Sequence, residues 1–298
     1  MVTEPDRAQV DRVEPVVVEE AKDVEPSPLP RVLLTNDDGI ESPGLRLLAE
    51  RLHKSYQLVV AAPARDMSGS GTGIGRFDNT KGIELRRASW NGIEAYTVDG
   101  PPGLAVMAAA LGAFGPKPAL VVSGINAGVN TGHSVIHSGT VGAVLTARTF
   151  GSHGLAVSLA YSDPWHWESA VASAVEAAAW VLGHRGRPLV LNVNVPGLPI
   201  VEILGTRWAE LDEFGYFRVA MADHEEQVLQ FEISNRPGGQ VEVGGSEAGR
   251  NPFTDTALCH AGYVTITTLT SVEPASRPEV EAEAVIPLPA KRAKLRSV

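Results

Sequence analysis

From Pro30 onward, the sequence alternates short apolar runs with segments whose apolar residues recur at helical spacing. The run RVLLTN at residues 31–36 is typical of a buried strand, and Leu45, Leu48 and Leu52 follow it three to four residues apart. Such alternation indicates βαβ units around a mostly parallel sheet. We therefore predict an α/β fold with a Rossmann-like, doubly wound, mostly parallel sheet.

The same alternation predicts the other elements of the core. Further strands are predicted at YQLVVAAP (56–63), GIELRR (82–87), GIEAYTV (92–98), ALVVS (119–123), GLAVSLA (154–160) and PLVLNVNVP (188–196). Helices are predicted from Ser42, after DGPPG (99–103) as far as Phe114, at SGTVGAVLTARTF (138–150) and at WESAVASAVEAAAWVL (167–182). Glycine-rich loops are predicted at ARDMSGSGTGIG (64–75) and GINAGVNTGHSVIH (124–137).

The sequence changes character near residue 200. Charged strands such as QVLQFEIS (227–234) alternate with glycine-rich turns, and TALCHAGYVTITTLT (256–270) predicts a short helix leading into a strand. We predict a core over residues 31–200 and a smaller β-rich extension over 200–270. The extension is expected to join subunits of an oligomer, since extended arms commonly do so.

Charge and composition restrict the location and the partners. Residues 1–30 contain eight acidic and three basic residues, a balance of −5 within a net charge of −10, so the folded body is only mildly acidic and non-specific nucleic-acid binding is disfavoured. Apolar stretches such as LAVMAAALGAFG fall well short of the about 20 residues that a bilayer requires. No signal peptide is expected, because the acidic N-terminus has no basic segment before an apolar core. No intrachain disulfide is expected, because Cys259 is the single cysteine. We expect a cytoplasmic protein that binds neither nucleic acid nor membranes.

Small polar and acidic residues follow three of the predicted strands. Asp37 and Asp38 follow the first strand, Ser68 lies in the loop after the second, and Asn126 lies after ALVVS. Ligands bind beyond the carboxyl ends of strands in an open parallel sheet, so these side chains are expected in one crevice. The aspartate pair alone favours a turn cap beside a solvated side chain. The four residues together favour a hard divalent cation, Mg²⁺ or Mn²⁺, with Asp37 and Asp38 as the catalytic residues.

A second group of residues predicts an anion site. Ser138, Gly139 and Thr140 precede an apolar helix, where hydroxyls and free backbone N–H groups bind anions. A metal and an anion in one crevice suggest phosphate chemistry, in which the metal polarises a phosphoryl oxygen and lowers the pKa of the attacking water. The predicted phosphate- and substrate-binding set is completed by Gly69, Ser70, Gly124 and Asn130.

Two other motifs are weighed and set aside. His133 and His137 have the i, i+4 spacing that suits a transition metal on a helix, but no third ligand is evident and they precede the predicted helix. We expect them to line the pocket or to face solvent. The run GSGTGIG (69–75) follows the second strand and does not match G-x-G-x-x-G, so a dinucleotide-dependent oxidoreductase is disfavoured.

Six sequence blocks, in order, resemble the SurE family of metal-dependent acid phosphatases acting on nucleoside monophosphates. They are VLLTNDDGIESPGLRLLAERL, VVAAPARDMSGS, LVVSGINAGVNTG, VIHSGTVGAVLTAR, LNVNVP and GYVTITTL. The resemblance extends from about residue 31 to 270, and NDDG and SGINAG are its most specific parts. It implies a Rossmann-like core, one Mg²⁺ or Mn²⁺ per subunit, hydrolysis of 5′- and 3′-nucleotides, polyphosphate activity in some members, and homodimers or homotetramers joined by the C-terminal extension. Position by position, its metal ligands fall on Asp37, Asp38, Ser68 and Asn126.

The sequence also departs from the pattern of that family. Ala64-Arg65-Asp66 stands where Asp-Arg-Asn is usual, and residues 100–104 replace a Gly-Thr-Pro block that an Asp-Cys step follows. His133, Ser134 and His137 stand where the family has an acidic pair and a tyrosine. These changes touch the predicted pocket wall and bear on substrate preference. The alternative function is that of a non-catalytic nucleotide-binding protein that keeps the metal.

The two ends of the chain are predicted to be tails outside the 31–270 phosphatase domain. Residues 271–298 end in AKRAKLRSV, whose clustered positive charge is typical of a solvated terminus. Residues 1–30 form an acidic arm with five prolines, a composition that does not repay the entropy of ordering.

We therefore expect a variant that begins near Pro28 to fold and to keep its activity. Circular dichroism and turnover, compared with the full chain, check this expectation. Loss of folding or of activity in the shortened chain would contradict it.

Overall fold

The computed structural model describes residues 29–76, 82–90, 92–213, 218–225, 228–234 and 251–270. The predictions for the acidic arm up to residue 28 and for the tail from residue 271 lie outside the described residues.

Eleven strands and five α-helices are present in the described part of the chain. The strands are β1 (Arg31–Thr35), β2 (Gln57–Pro63), β3 (Leu85–Trp90), β4 (Ile93–Val98), β5 (Leu120–Ala127), β6 (His153–Leu159), β7 (Val190–Val195), β8 (Thr206–Trp208), β9 (Arg218–Glu225), β10 (Val228–Ser234) and β11 (Val264–Leu269). The helices are α1 (Pro43–Leu52), α2 (Pro102–Ala110), α3 (Gly139–Thr149), α4 (Trp167–Gly183) and α5 (Asp255–His260). None of these helices is long and apolar enough to cross a membrane.

Nine of the strands form one sheet in the order β3-β4-β2-β1-β5-β6-β7-β11-β8. In that order, the six neighbouring strands β4, β2, β1, β5, β6 and β7 pair in parallel. β3 pairs antiparallel with β4, and β11 pairs antiparallel with β7. The predicted α/β fold with a mostly parallel sheet is therefore confirmed.

The last strands are divided between two sheets. β11 lies beside β7, and β8 pairs in parallel with β11, so both belong to the main sheet. Within the described part of the chain, β9 and β10 form a second sheet. The sequence does not show this because VTITTL fits an added strand and an independent one equally well. The boundary near residue 200 and the assembly role of the extension stay predictions.

Two apolar layers cover the faces of the sheet. α1 and α4 pack on one face, against side chains such as Leu34 and Val122. α2 and α3 pack on the other, against the alternate side chains such as Leu33 and Val121. Successive strand residues point to opposite faces, which is why short continuous apolar runs marked these strands.

The region after β5 differs from the predicted loop. β5 continues through Ala127, with a register shift between Ser123 and Asn126, and a 3₁₀ helix occupies Gly132–His137. Gly124 has a φ of +137°, and a Cβ there would lie 2.3 Å from the carbonyl oxygen of Val157. Only glycine allows β5 to pass so close to β6 at this point.

A pair of neighbouring leucines on α1 tests the core. Leu48 is fully buried, whereas Leu47 is 40% exposed. We expect Leu48→Ala to lower the free energy of unfolding by about 2–5 kcal/mol, because it leaves a cavity. Leu47→Ala, the matched control, should change it by about 0.5 kcal/mol or less. Urea unfolding of both variants measures the difference, and equal losses would contradict the burial pattern.

Candidate metal and phosphate site

The turn after β1 holds two aspartates at the carboxyl end of the sheet. The Asn36 side chain closes this turn: its Oδ1 accepts from the Gly39 N–H at 3.2 Å, and its Nδ2 donates to the Gly39 carbonyl oxygen at 3.0 Å. Gly39 has a φ of +101°, and a Cβ there would lie 3.2 Å from the backbone of Arg65. The Ile40 N–H then donates to the carbonyl oxygen of Pro63 at 2.9 Å, which ties the turn to the end of β2.

Asp37 lies against the N-terminus of α3. Its carboxylate is 3% exposed and accepts a short hydrogen bond from the Thr140 hydroxyl. Burial raises the pKa of Asp37, although hydrogen bonds from Thr140 and from backbone groups, including Gly139, oppose that rise. A Cβ on Gly139 would lie 2.7 Å from Oδ2 of Asp37, so a glycine is needed for this approach.

Asp38 carries the oxygen that has no partner. Its Oδ2 is buried and makes no hydrogen bond within the described part of the chain. Burial, followed by the nearby charges of Asp37 and Asp66, raises the pKa of Asp38 to about 7. Two adjacent, poorly solvated carboxyl groups repel each other when ionised, and a cation between or beside them removes that repulsion.

The loop after β2 brings Ser68 towards this pair. The Met67 N–H donates to the carbonyl oxygen of Asp37 at 2.7 Å, which fixes the loop to the aspartate turn. The exposed Ser68 donates from its hydroxyl to Oδ1 of Asp66 at 2.6 Å and from its N–H to the same oxygen at 2.8 Å. Asp66 therefore orients Ser68, a role that the sequence interpretation missed.

Asn126 lies at the same edge of the sheet, on β5. β1 and β5 are hydrogen-bonded neighbours with Thr35 opposite Ser123. Asn126 and the aspartate pair therefore both follow this paired position, two to three residues beyond it on neighbouring strands. Its Nδ2 donates to the carbonyl oxygen of Gly128 at 2.7 Å. The amide nitrogen is thus occupied, and the oxygen Oδ1 is the atom that Asn126 offers as a ligand.

This donor set fits a hard divalent cation. It consists of carboxylate, hydroxyl and amide oxygens, which Mg²⁺ and Mn²⁺ prefer. The buried Oδ2 of Asp38, which has no hydrogen-bond partner among the described residues, is an oxygen that such a cation could bind. No group of three or more His, Cys, Asp or Glu that could hold a metal occurs among the described residues.

The predicted anion site lies directly beside the aspartates. Ser138 caps α3 by accepting from the Val141 N–H at 3.1 Å. The Thr140 hydroxyl is bonded to Asp37, and the backbone N–H groups of Gly139 and Thr140 also act on that carboxylate, so the start of α3 already serves one negative charge. The buried Ser70 hydroxyl has no described partner and would lie 2.6 Å from a Cβ on Gly139.

A glycine contact sets the loop after β2 against α3. The Gly71 N–H donates to the carbonyl oxygen of His137 at 3.1 Å. A Cβ on Gly142 of α3 would lie 2.0 Å from the Gly71 carbonyl oxygen, so no other residue fits there. Gly69, in contrast, has open space around it and a φ of +81°, which leaves its backbone accessible.

Two of the predicted substrate-binding residues have other contacts. Gly124 is buried against β6, and Asn130 is 8% exposed within a polar network. The Asn130 side chain donates to the Ser158 hydroxyl at 2.9 Å, and its backbone is bonded to Asn192 and Asn194. Their roles in substrate binding stay predictions. The sequence interpretation missed this network, although the alternation in LNVNVP puts both asparagines on one face of β7 and could have indicated it.

The two loop histidines do not share a helix face. Both lie on the 3₁₀ helix, where three residues complete a turn and residues i and i+4 therefore point in different directions. His133 and His137 are both exposed.

A family model, several known proteins and a solved structure each match most of the chain. A family model described as Survival protein SurE matches residues 32–217. The 5′-nucleotidase SurE of Aeromonas hydrophila is 36% identical over 248 residues, covering 80% of this chain and 92% of that protein. The 5′/3′-nucleotidase SurE of Yersinia pseudotuberculosis is 34% identical over 247 residues, covering 80% and 89% respectively. The crystal structure of the SurE protein from Aquifex aeolicus superposes with a TM-score of 0.64 at 29% identity, covering 81% of this chain and 93% of that one.

The region matched by the family model includes all of the aspartate turn, the loop after β2 and the N-terminus of α3. Both sequence relatives are matched over most of their own length. On this sequence and fold evidence, the chain belongs to the SurE family.

Proposed function

We propose that this protein is a metal-dependent phosphomonoesterase that hydrolyses nucleoside 5′- or 3′-monophosphates to nucleoside and phosphate. The observation that carries the proposal is the aspartate pair beside the N-terminus of α3, in which Asp37 is buried and the buried Oδ2 of Asp38 has no partner among the described residues. A cation site and an anion site in contact suit a phosphate monoester. The names of the relatives, 5′-nucleotidase and 5′/3′-nucleotidase, support the same substrate class.

In this proposal one divalent ion per subunit, Mg²⁺ or Mn²⁺, is held by Asp37, Asp38, Ser68 and Asn126. When bound, such an ion polarises a phosphoryl oxygen and promotes attack by water. The two carboxylates have different tasks. Asp37 is fixed by Thr140, so it sets the geometry of the site. Asp38 keeps an unpartnered oxygen and directs its charge at the reaction centre.

The phosphate group lies between Ser70 and the start of α3. The positive end of the α3 dipole favours negative charge there, and the Ser70 hydroxyl donates a hydrogen bond to a phosphoryl oxygen. Support comes from the buried, unpartnered state of that hydroxyl and from its closeness to Gly139. The accessible backbone of Gly69 allows the same loop to approach the substrate.

We further propose a cytoplasmic homodimer or homotetramer. The lone, buried Cys259 is compatible with a reducing compartment. Apolar side chains near β8 are unusually exposed, with Val201 at 86% and Trp208 at 57%, and a subunit contact would cover them.

The proposed activity predicts phosphate release that requires a metal. We expect the metal-stripped protein to release phosphate from 5′- or 3′-nucleoside monophosphates only after Mn²⁺ or Mg²⁺ is added. The reason is that the proposed reaction needs a cation to polarise the phosphoryl oxygen and to promote attack by water. A panel with p-nitrophenyl phosphate and polyphosphate defines the substrate range. Absence of release from every nucleotide with either metal would refute the proposal.

Replacing the aspartates separates a metal site from a structural pair. We expect Asp37→Asn and Asp38→Asn each to lower turnover by about a thousandfold, equivalent to a barrier rise of roughly 4 kcal/mol. Asp38→Asn should melt no lower than the parent protein in chelator, since it removes a poorly solvated charge beside Asp37.

Glu50→Gln, on the exposed side of α1, is the matched control and should change neither property. Phosphate release and melting temperature, each in chelator and in excess Mn²⁺, are the measurements. Near-native turnover by both aspartate variants would rule out the metal-site interpretation.

A further inference from the structure

Asp255 is a fully buried carboxylate that the proposed chemistry does not use. It is the first residue of α5 and has no exposed surface. The Gly132 N–H donates to both carboxylate oxygens of Asp255, to Oδ2 at 2.9 Å and to Oδ1 at 3.2 Å. Its Oδ1 accepts from the N–H groups of Asp212 at 3.0 Å and Thr256 at 2.9 Å. One side chain thus joins three separate segments of the chain.

Neighbouring contacts hold the same short stretch. The hydroxyls of Thr256 and Thr131 are 3.0 Å apart, and the His133 N–H donates to the carbonyl oxygen of Asp212 at 3.0 Å. Three consecutive residues, 131–133, are therefore bonded to the C-terminal part of the fold. From the sheet, Asn194 accepts from the Asn130 N–H at 2.7 Å, so the connection that leaves β5 is held from two sides.

This stretch leads directly into the proposed phosphate site. The 3₁₀ helix begins at Gly132 and ends at His137, and Ser138 then caps α3. No flexible spacer separates Gly132 from the contact between Thr140 and Asp37. A shift of Gly132 would therefore move the N-terminus of α3 relative to the aspartate pair.

We infer that Asp255 is a positioning residue for the phosphatase reaction: by holding the Gly132 N–H it fixes the N-terminus of α3 against Asp37. This inference deepens, and rests on, the proposed function. Burying a carboxylate without a cation is unfavourable, and burial indeed raises the pKa of Asp255 against the opposing effect of its backbone hydrogen bonds. The geometric role explains why an acid rather than an apolar residue occupies the site.

The pattern of acceptors makes Asp255→Asn a selective test. Its amide oxygen can keep the bonds from Asp212 and Thr256, which share Oδ1. The new amide group then stands where Oδ2 accepts the shorter bond from the Gly132 N–H, so that bond is lost, two donors oppose each other and only the 3.2 Å contact with the remaining oxygen is kept. The variant thus weakens the connection to the proposed site while retaining the contacts inside the C-terminal segment.

Ser152→Ala is the matched control for lost stability. Ser152 is 2% exposed, and its hydroxyl donates to the carbonyl oxygen of Pro118 at 2.7 Å, beyond the C-terminal end of α3. Its removal also deletes one buried hydrogen bond, but far from the proposed site.

We expect Asp255→Asn to lower kcat by about tenfold to a hundredfold with KM changed by less than about threefold, as misplaced catalytic groups do. Ser152→Ala should keep kcat within about twofold under the same assay. Hydrogen exchange measured by mass spectrometry should rise in the peptide covering residues 130–141 of Asp255→Asn only. A kcat of Asp255→Asn within twofold of the parent protein, or unchanged exchange there, would overturn the inference.

Two further outcomes are distinguishable. If the parent protein releases no phosphate, the proposed function fails, and the exchange measurement alone still decides whether Asp255 fixes this connection. If Asp255→Asn does not fold, Thr256→Val removes the neighbouring hydroxyl contact to Thr131 and keeps Asp255. It should show the same rise in exchange and a smaller fall in kcat, and parent-like values of both would count against the positioning role.

Discussion

The contact between the Asp37 carboxylate and the N-terminus of α3 is the interaction on which the site depends. Asp37 lies in the turn after β1, whereas α3 lies about 100 residues later in the chain, between β5 and β6. The positive end of a helix dipole stabilises a carboxylate, and the first backbone N–H groups of α3 act on Asp37 itself. The same helix end thus holds the proposed metal ligand and lies beside the proposed phosphate position, which puts the two charges of the proposed reaction side by side.

Close approach at this point requires residues without side chains. Gly139 allows Asp37 to reach the helix, and Gly142 allows the Gly71 backbone to pass across it. Gly142 lies inside α3, where glycine weakens a helix by about 1 kcal/mol relative to alanine, whereas Gly139 is the first residue of the helix. The chain accepts this loss because a methyl group at either position would separate the loop after β2 from the helix. The geometry of the proposed phosphate site therefore opposes the intrinsic stability of the helix that forms it.

Local patterns in the sequence predicted the sheet, the helices and the residues at the strand ends, because periodicity and capping act over a few residues. The helical spacing of Leu45, Leu48 and Leu52, all buried on α1, is an example. Topology also predicted that the strand ends meet in one crevice, but individual side-chain contacts between distant segments were not predictable. Nothing near Asp255 in the sequence signals that Gly132 is its partner, and VTITTL does not disclose that β11 joins β7. The hydroxyl of Thr140 likewise suggested a phosphate ligand, although the fold commits it to Asp37.

The loop after β2 shows how a departure from the family pattern can preserve chemistry. The family pattern usually has an acid at the position of Ala64, whereas this chain has Asp66. The Asp66 carboxylate accepts hydrogen bonds from both the N–H and the hydroxyl of Ser68. That carboxylate orients the proposed ligand and adds a further negative charge near Asp38, which contributes to the raised pKa of Asp38. The altered loop thus places a carboxylate beside Ser68 two residues later in the chain than the family pattern does.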